Sequence, residues 1–272
     1  MKIHLAGANS FKEVIINNRV PNTLFSFIDL KRRDDLEVYM SQYDFCEKII
    51  IDSGAYSMWA VGRQVDIDEY IKFCLRLMSW PGGDRFVFVN LDVIPGKKEV
   101  MPTEEERISS AENSWKNMMY MFSRGVKCLP VFHQHEPINF LDKIMEVSDY
   151  VGISPSNDRW MTNKHKKNWL DSIFLRIKLR IRTHGFGVTS GEILKRYPFY
   201  SADSTSWIDP KKYGHSLTTD LKARGLKRKE GQGISGNHGK VMLWELDNEV
   251  KRWLELEKQI TRMWELRGIS WG

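Results

Sequence analysis

Lys48-Ile49-Ile50-Ile51-Asp52-Ser53-Gly54-Ala55-Tyr56 is the stretch that decides the fold. Three isoleucines in a row leave no polar face. The run therefore reads as a strand covered on both sides, as in a parallel sheet. It ends on a charge, and Ser53-Gly54 turns the chain at once. Seven further runs repeat the design, at 3–8, 24–28, 86–92, 128–133, 150–154, 183–188 and 199–203. Helical stretches lie between them. Residues 66–79 place Ile67, Tyr70, Ile71, Cys74 and Leu77 at helical spacing. Pro102-Thr103-Glu104-Glu105-Glu106 opens a helix that runs to about 123, with proline early and acids in its first turn. Pro137 opens another, 168–180 and 191–196 supply two more, and 241–266 sets Leu246, Val250, Trp253, Ile260 and Met263 on one face.

Eight alternations of strand and helix predict an α/β fold, a (β/α)8 TIM-type barrel in one domain spanning 1–272. No G-x-G-x-x-G follows the first strand, which argues against a dinucleotide-binding open sheet. Three strand runs finish on Asp52, Asp92 and Asp203. In such a barrel the active site lies at the C-terminal strand ends, so three carboxylates would converge on one mouth.

With 272 residues, 42% of them hydrophobic, the chain is long enough for one large core. No run of about 18 apolar residues is present, so no membrane span is expected, and Met1 to Gly7 reads as a first strand and not a leader. Cys46, Cys74 and Cys128 are far apart and odd in number, as in a reduced cytoplasmic core. The net charge of +6 is concentrated. Between 211 and 240, eight lysines and arginines (Lys211, Lys212, Lys222, Arg224, Lys227, Arg228, Lys229 and Lys240) face only Asp220 and Glu230, an excess equal to that of the whole chain. This basic, Gly-rich insertion, at about 208–240, follows the eighth strand and so is expected over the mouth. It points to a polyanionic partner, or else to a solvated loop that aids solubility.

Several motifs then fall in order. They are Asp52-Ser53-Gly54-Ala55-Tyr56 after strand three, Leu91-Asp92 after strand four, and Gly152 in strand six. His184-Gly185-Phe186-Gly187 in strand seven and Asp203-Ser204 in strand eight complete the set. Their order and strand placement resemble the tRNA-guanine transglycosylase superfamily, the β/α barrels that exchange a guanine for a 7-deazaguanine base and include the queuine tRNA-ribosyltransferases. The resemblance covers about 48–207. It implies a glycosyltransferase without a cofactor. It implies Asp203 as the nucleophile that forms a covalent glycosyl intermediate, and Asp52 as the general acid/base. Asp92 would read the N–H edge of the base, Tyr56 and Phe186 would stack on its faces, and Ser53, Gly54 and Gly152 would bring backbone near it. His133 falls where the family has a glutamine, with Gln134 adjacent.

The tRNA enzymes carry a cysteine-held zinc after strand eight. No cysteine follows Cys128 here, so no zinc subdomain and no metal are expected. That departure brings the chain closest in character to the phage and bacterial enzymes that place 7-deazaguanines in DNA. The implied partners are DNA and a free 7-deazaguanine base, in the cytoplasm (the host's, for a phage-encoded chain). Lys211, Lys212, Lys227, Arg228 and Lys229 are expected on phosphates, with Trp207 along the nucleic-acid path. Exchange on tRNA keeps the chemistry and changes the polymer. Two other classes stay open: a metal-dependent hydrolase using His133, His135 and Glu136, and a catalytically silent nucleic-acid-binding barrel. The aspartates could also be simple helix N-caps, and the aromatics ordinary packing.

Overall fold

A computed structural model describes residues 1–97, 100–134, 136–156, 162–188, 190–208, 215–217, 228–230 and 243–271. The strands are β1 (Lys2–Ala6), β2 (Asn22–Ser26), β3 (Lys48–Asp52), β4 (Phe86–Val89), β5 (Cys128–Leu129), β6 (Val131–His133), β7 (Tyr150–Ser154), β8 (Arg182–Gly185) and β9 (Ser201–Ser204). They form one all-parallel sheet in the order β5-β4-β3-β2-β1-β9-β8-β7-β6. Its two edge strands are halves of one expected strand, 128–133. Pro130 has no N–H to give a ladder. The run therefore pairs with β4 before the proline and with β7 after it, and the Pro130 carbonyl accepts the Gly152 N–H at 2.7 Å. The sheet thus curls into a nearly closed barrel, the arrangement of a TIM-type fold.

Helices follow the strands around the outside: α1 (Lys12–Asn17), α2 (Phe27–Leu30), α3 (Leu36–Ser41), α4 (Ala55–Trp59), α5 (Ile67–Met78), α6 (Glu104–Ser123), α7 (Ile138–Val147), α8 (Asn163–Ile177), α9 (Gly191–Arg196) and α10 (Leu243–Leu266). Local chemistry sets their starts. Asp66 caps α5 through the Glu69 N–H, and Thr103 and Glu106 form a reciprocal capping box on α6. Helix α10 seals the ring beside β1: the Met1 amine donates to Thr261 Oγ1 and Trp264 Nε1 to the Leu194 carbonyl. No described helix is long and apolar enough to cross a membrane.

Several boundaries differ from the sequence reading. The first strand stops at Ala6 because Gly7, at φ 74°, turns the chain. The fourth stops at Val89; the Asn90 N–H makes a last bond to the Leu129 carbonyl at 2.8 Å while its side chain donates to the Ser114 carbonyl at 2.9 Å, and Asp92 sits in the following loop and not on the strand. The seventh ends at Gly185. Helix α8 begins at Asn163 and not near 168, because Thr162 caps it by accepting the His165 N–H. Within the basic insertion, two short strands, β10 (His215–Leu217) and β11 (Arg228–Glu230), pair antiparallel. Lys211, Lys212 and Lys227 lie outside the described residues, as do the side chains of Arg228 and Lys229.

Candidate active site

Side chains alternate along a strand, so residues two apart share a face. On β3 the inward pair is Ile50, in an aliphatic cluster with Ala6, Leu24, Val89, Leu129 and Val131, and Asp52 above it at the rim. Gly54 then reverses the chain at φ 79°, where a Cβ would lie 2.4 Å from Ile28 Cγ1, so only glycine fits. Its N–H donates to Asp52 Oδ2 at 3.1 Å. Burial first, then the charges of Asp92 and Asp203, push the Asp52 carboxyl up to about 7, against the opposing pull of that N–H. A carboxyl poised there can both give and take a proton near neutral pH.

On β9 the inward pair is Ser201 and, above it, Asp203. Asp203 Oδ1 accepts the Gly187 N–H at 2.9 Å and lies 3.3 Å from His184 Nε2. Among the described residues nothing bonds its Oδ2. Asp92 reaches the same mouth from its loop and pairs with His133, Oδ2 to Nε2 at 2.6 Å. Burial lowers the His133 pKa, but the hydrogen bond and charge of Asp92 outweigh it and hold the imidazole above its ordinary range. Glu136 supports this pair from behind, accepting the His133 backbone N–H at 3.0 Å; burial pushes its carboxyl up to about 7.

One cavity of about 420 Å³ is lined by Asp52, Asp92, His133 and Asp203 together with Tyr56 and Phe186. Tyr56 opens α4 with most of its surface exposed, and Phe186 follows β8. They follow strands β3 and β8, which lie about half a turn apart in the ring. A larger groove, about 640 Å³, lies outside the barrel between α7 and α8; it reaches Gln134 and Glu136 but none of the three aspartates.

Some expected site residues do other work. Ser53 is fully buried and its Oγ accepts the Ala55 N–H; with Gly54 it builds the turn and does not line the cavity. Gly152 is covered by Phe186: a Cβ there would fall 2.4 Å from Phe186 Cε2. The residue makes room for the ring and offers no backbone to the cavity. Trp207 corrects the sequence reading outright. It is fully buried, its Nε1 donates to the Ala6 carbonyl at 2.8 Å, and Phe11 packs edge-on against it, so it cannot line a nucleic-acid path. A large apolar ring after β9 is needed to fill the space beside β1.

Trp59 and the loop of Ile94, Pro95 and Lys97 also line the cavity and went unread in the sequence, and Gln134 was read only as the neighbour of His133. Trp59 lies one helical turn after Tyr56, its ring 5.6 Å away, and its Nε1 donates to the Gly96 carbonyl at 2.8 Å, which brings the loop of Ile94, Pro95 and Lys97 to the rim. Gln134 accepts the Ser156 N–H at 3.0 Å through Oε1. The Tyr56 and Trp59 spacing was a usable signal; the Gln134–Ser156 contact had none. Among the described residues no group of three or more His, Cys, Asp or Glu could hold a metal ion, and His135 lies outside them. No protein-family model and no curated protein matches the chain.

Proposed function

We propose that this mouth exchanges a guanine base in DNA for a 7-deazaguanine through a covalent glycosyl-aspartate intermediate. The observation that carries the reading is one cavity lined both by three carboxylates in different environments and by two aromatic rings. Asp203 attacks C1′ of the target nucleotide through Oδ2. The bond from C1′ to the base breaks, and the leaving guanine takes the Asp52 proton. The incoming 7-deazaguanine returns a proton to Asp52, and its N9 attacks C1′. Asp203 is released, and configuration is retained by the double displacement. Tyr56 and Phe186 stack on the base, and Asp92, paired with His133, accepts its N–H edge. A nucleotide treated this way must leave the stack.

The basic segment 211–240 supports a nucleic-acid substrate, and the absence of cysteine from residues 129–272, where the tRNA enzymes hold their zinc, favours DNA over tRNA. Nucleoside mass spectrometry tests the reading, on DNA and tRNA from cells expressing the chain with 7-deazaguanine precursors. The expected result is a modified deoxynucleoside, absent with Asp203→Asn. Modification of tRNA alone would change the polymer, and modification of neither would contradict the reading. Replacing Lys227, Arg228 and Lys229 together by Ala should lower the slope of log affinity against log salt by about 2–3.

A further inference from the structure

Directly under Asp203 lies a chain of buried polar groups that the exchange reaction as written does not use. Tyr150 on β7 places its hydroxyl 2.6 Å from Ser201 Oγ on β9. Ser201 Oγ lies 2.7 Å from His184 Nδ1 on β8. His184 is fully buried, and its Nε2 has no hydrogen-bond partner in good geometry, although Asp203 Oδ1 stands 3.3 Å away. The other titratable group against this imidazole is His4 on β1, edge-on at 5.7 Å. Burial, then the neighbouring His184, push His4 down to about 3, so it stays neutral.

We propose that His184 is a positioning residue for Asp203, its proton fixed on Nε2 by the Tyr150–Ser201 chain so that a neutral N–H holds Oδ1 and leaves Oδ2 to attack. The proposal rests on the base-exchange reading for its role and on geometry for its direction. Among the described residues Ser201 is the only hydrogen-bond partner of the Tyr150 hydroxyl. Tyr150 is half-buried with its hydroxyl turned toward the buried Ser201, where a hydroxyl proton without an acceptor is costly, so Tyr150 donates to Ser201. The Ser201 proton must then go to His184 Nδ1. A neutral imidazole that accepts at Nδ1 carries its own proton on Nε2, the nitrogen facing Asp203. With Gly187 N–H on the same oxygen, Oδ1 has two donors. The reverse order would aim an imidazole lone pair at a carboxylate.

The test begins without any assay of exchange. Nitrogen-15 NMR of the histidine rings in the wild-type protein should find His184 neutral with its proton on Nε2. A proton on Nδ1, in a neutral or a charged ring, would overturn the proposal. Exchange kinetics follow. His184→Phe should lower kcat roughly 10- to 100-fold, the scale of one lost hydrogen bond to a charged group, with KM for the free base unchanged. His184→Gln, which keeps an N–H donor, should recover most of the loss, and Ser201→Ala should fall between. An undiminished kcat in His184→Phe, or a loss matched by a rise in KM, would overturn the positioning role. If His184→Phe does not fold, Ser201→Ala and the wild-type tautomer still decide. An Nε2–H tautomer in a protein that exchanges no base would uphold the geometry and remove the base-exchange reading instead.

Discussion

Asp52 and Asp203 stand at the C-terminal ends of strands on different arcs of one barrel, and what lies beneath them differs. Below Asp52, strands β2 to β6 present Leu24, Ile50, Val89, Leu129 and Val131, an aliphatic floor. Below Asp203, β7, β8, β9 and β1 present Tyr150, His184, Ser201 and His4, a polar chain. A carboxyl over hydrocarbon resists ionisation, and Asp52 is pushed up to about 7. Over the polar chain, Asp203 instead accepts the Gly187 N–H at 2.9 Å, and His184 Nε2 stands 3.3 Å from the same oxygen. On the base-exchange reading, one residue type would serve as acid/base on one arc and nucleophile on the other, with the floor making the assignment.

The largest expected effect breaks the polar arc. Asp203→Asn, nearly isosteric, should cut exchange by roughly 10⁴-fold or more, as loss of a covalent nucleophile does, with little change in Tm. Steady-state assay and thermal melts check this pair of outcomes. On the other arc, Asp52→Asn should cost roughly 10²–10⁴-fold in kcat. It should also change stability with a defined sign. Between about 4, its ordinary value, and about 7, the folded state binds the Asp52 proton more tightly than the unfolded chain. That contribution is complete at low pH and is lost as pH rises through 7. The Asn variant should therefore melt with wild type at pH 4 but about 2–8 °C higher at pH 8, for about 1–2 kcal/mol once solvent at the mouth is allowed for.

A smaller change sharpens the contrast. Ile50→Thr places a hydroxyl under Asp52, which should favour its anion. The alkaline limb of the pH–rate profile should move toward lower pH by about one unit, since a hydrogen bond to the charged form lowers a carboxyl pKa. An unmoved limb would mean that the floor does not tune Asp52. The smallest effects belong to the walls. Tyr56→Ala and Phe186→Ala should each weaken free-base binding by about 1–3 kcal/mol by calorimetry, and Tyr56→Phe by much less, since stacking needs only the ring.

The two arcs were not equally legible in the sequence. Ile49-Ile50-Ile51-Asp52 announces an apolar strand and its charged end in four letters, so that side of the barrel and its acid were plain. The polar arc showed its strands but not its contacts: Arg182-Thr183-His184-Gly185 and Ser201-Ala202-Asp203 overlap the runs read at 183–188 and 199–203, yet their inward polar residues give no local sign of what they touch. Asp203 was read, like Asp52, as the charged end of a strand run; the Tyr150, Ser201 and His184 chain beneath it joins residues up to 51 apart and leaves no local pattern. The Asp92–His133 bond, spanning 41 residues, is equally silent. Trp207 misled because adjacency to Asp203 in sequence places it next to the site only if the chain keeps to the mouth, and there it turns inward to fill the core.

The central claim is that Asp203 becomes covalently bonded to the sugar. Incubating the protein with a guanine-containing oligonucleotide, quenching in denaturant and mapping the peptides by mass spectrometry tests it most directly. The account predicts a deoxyribosyl ester on Asp203, discharged when a 7-deazaguanine base is added before the quench. Base exchange that proceeds with the adduct on Asp52, or with no adduct on any carboxylate, would contradict it.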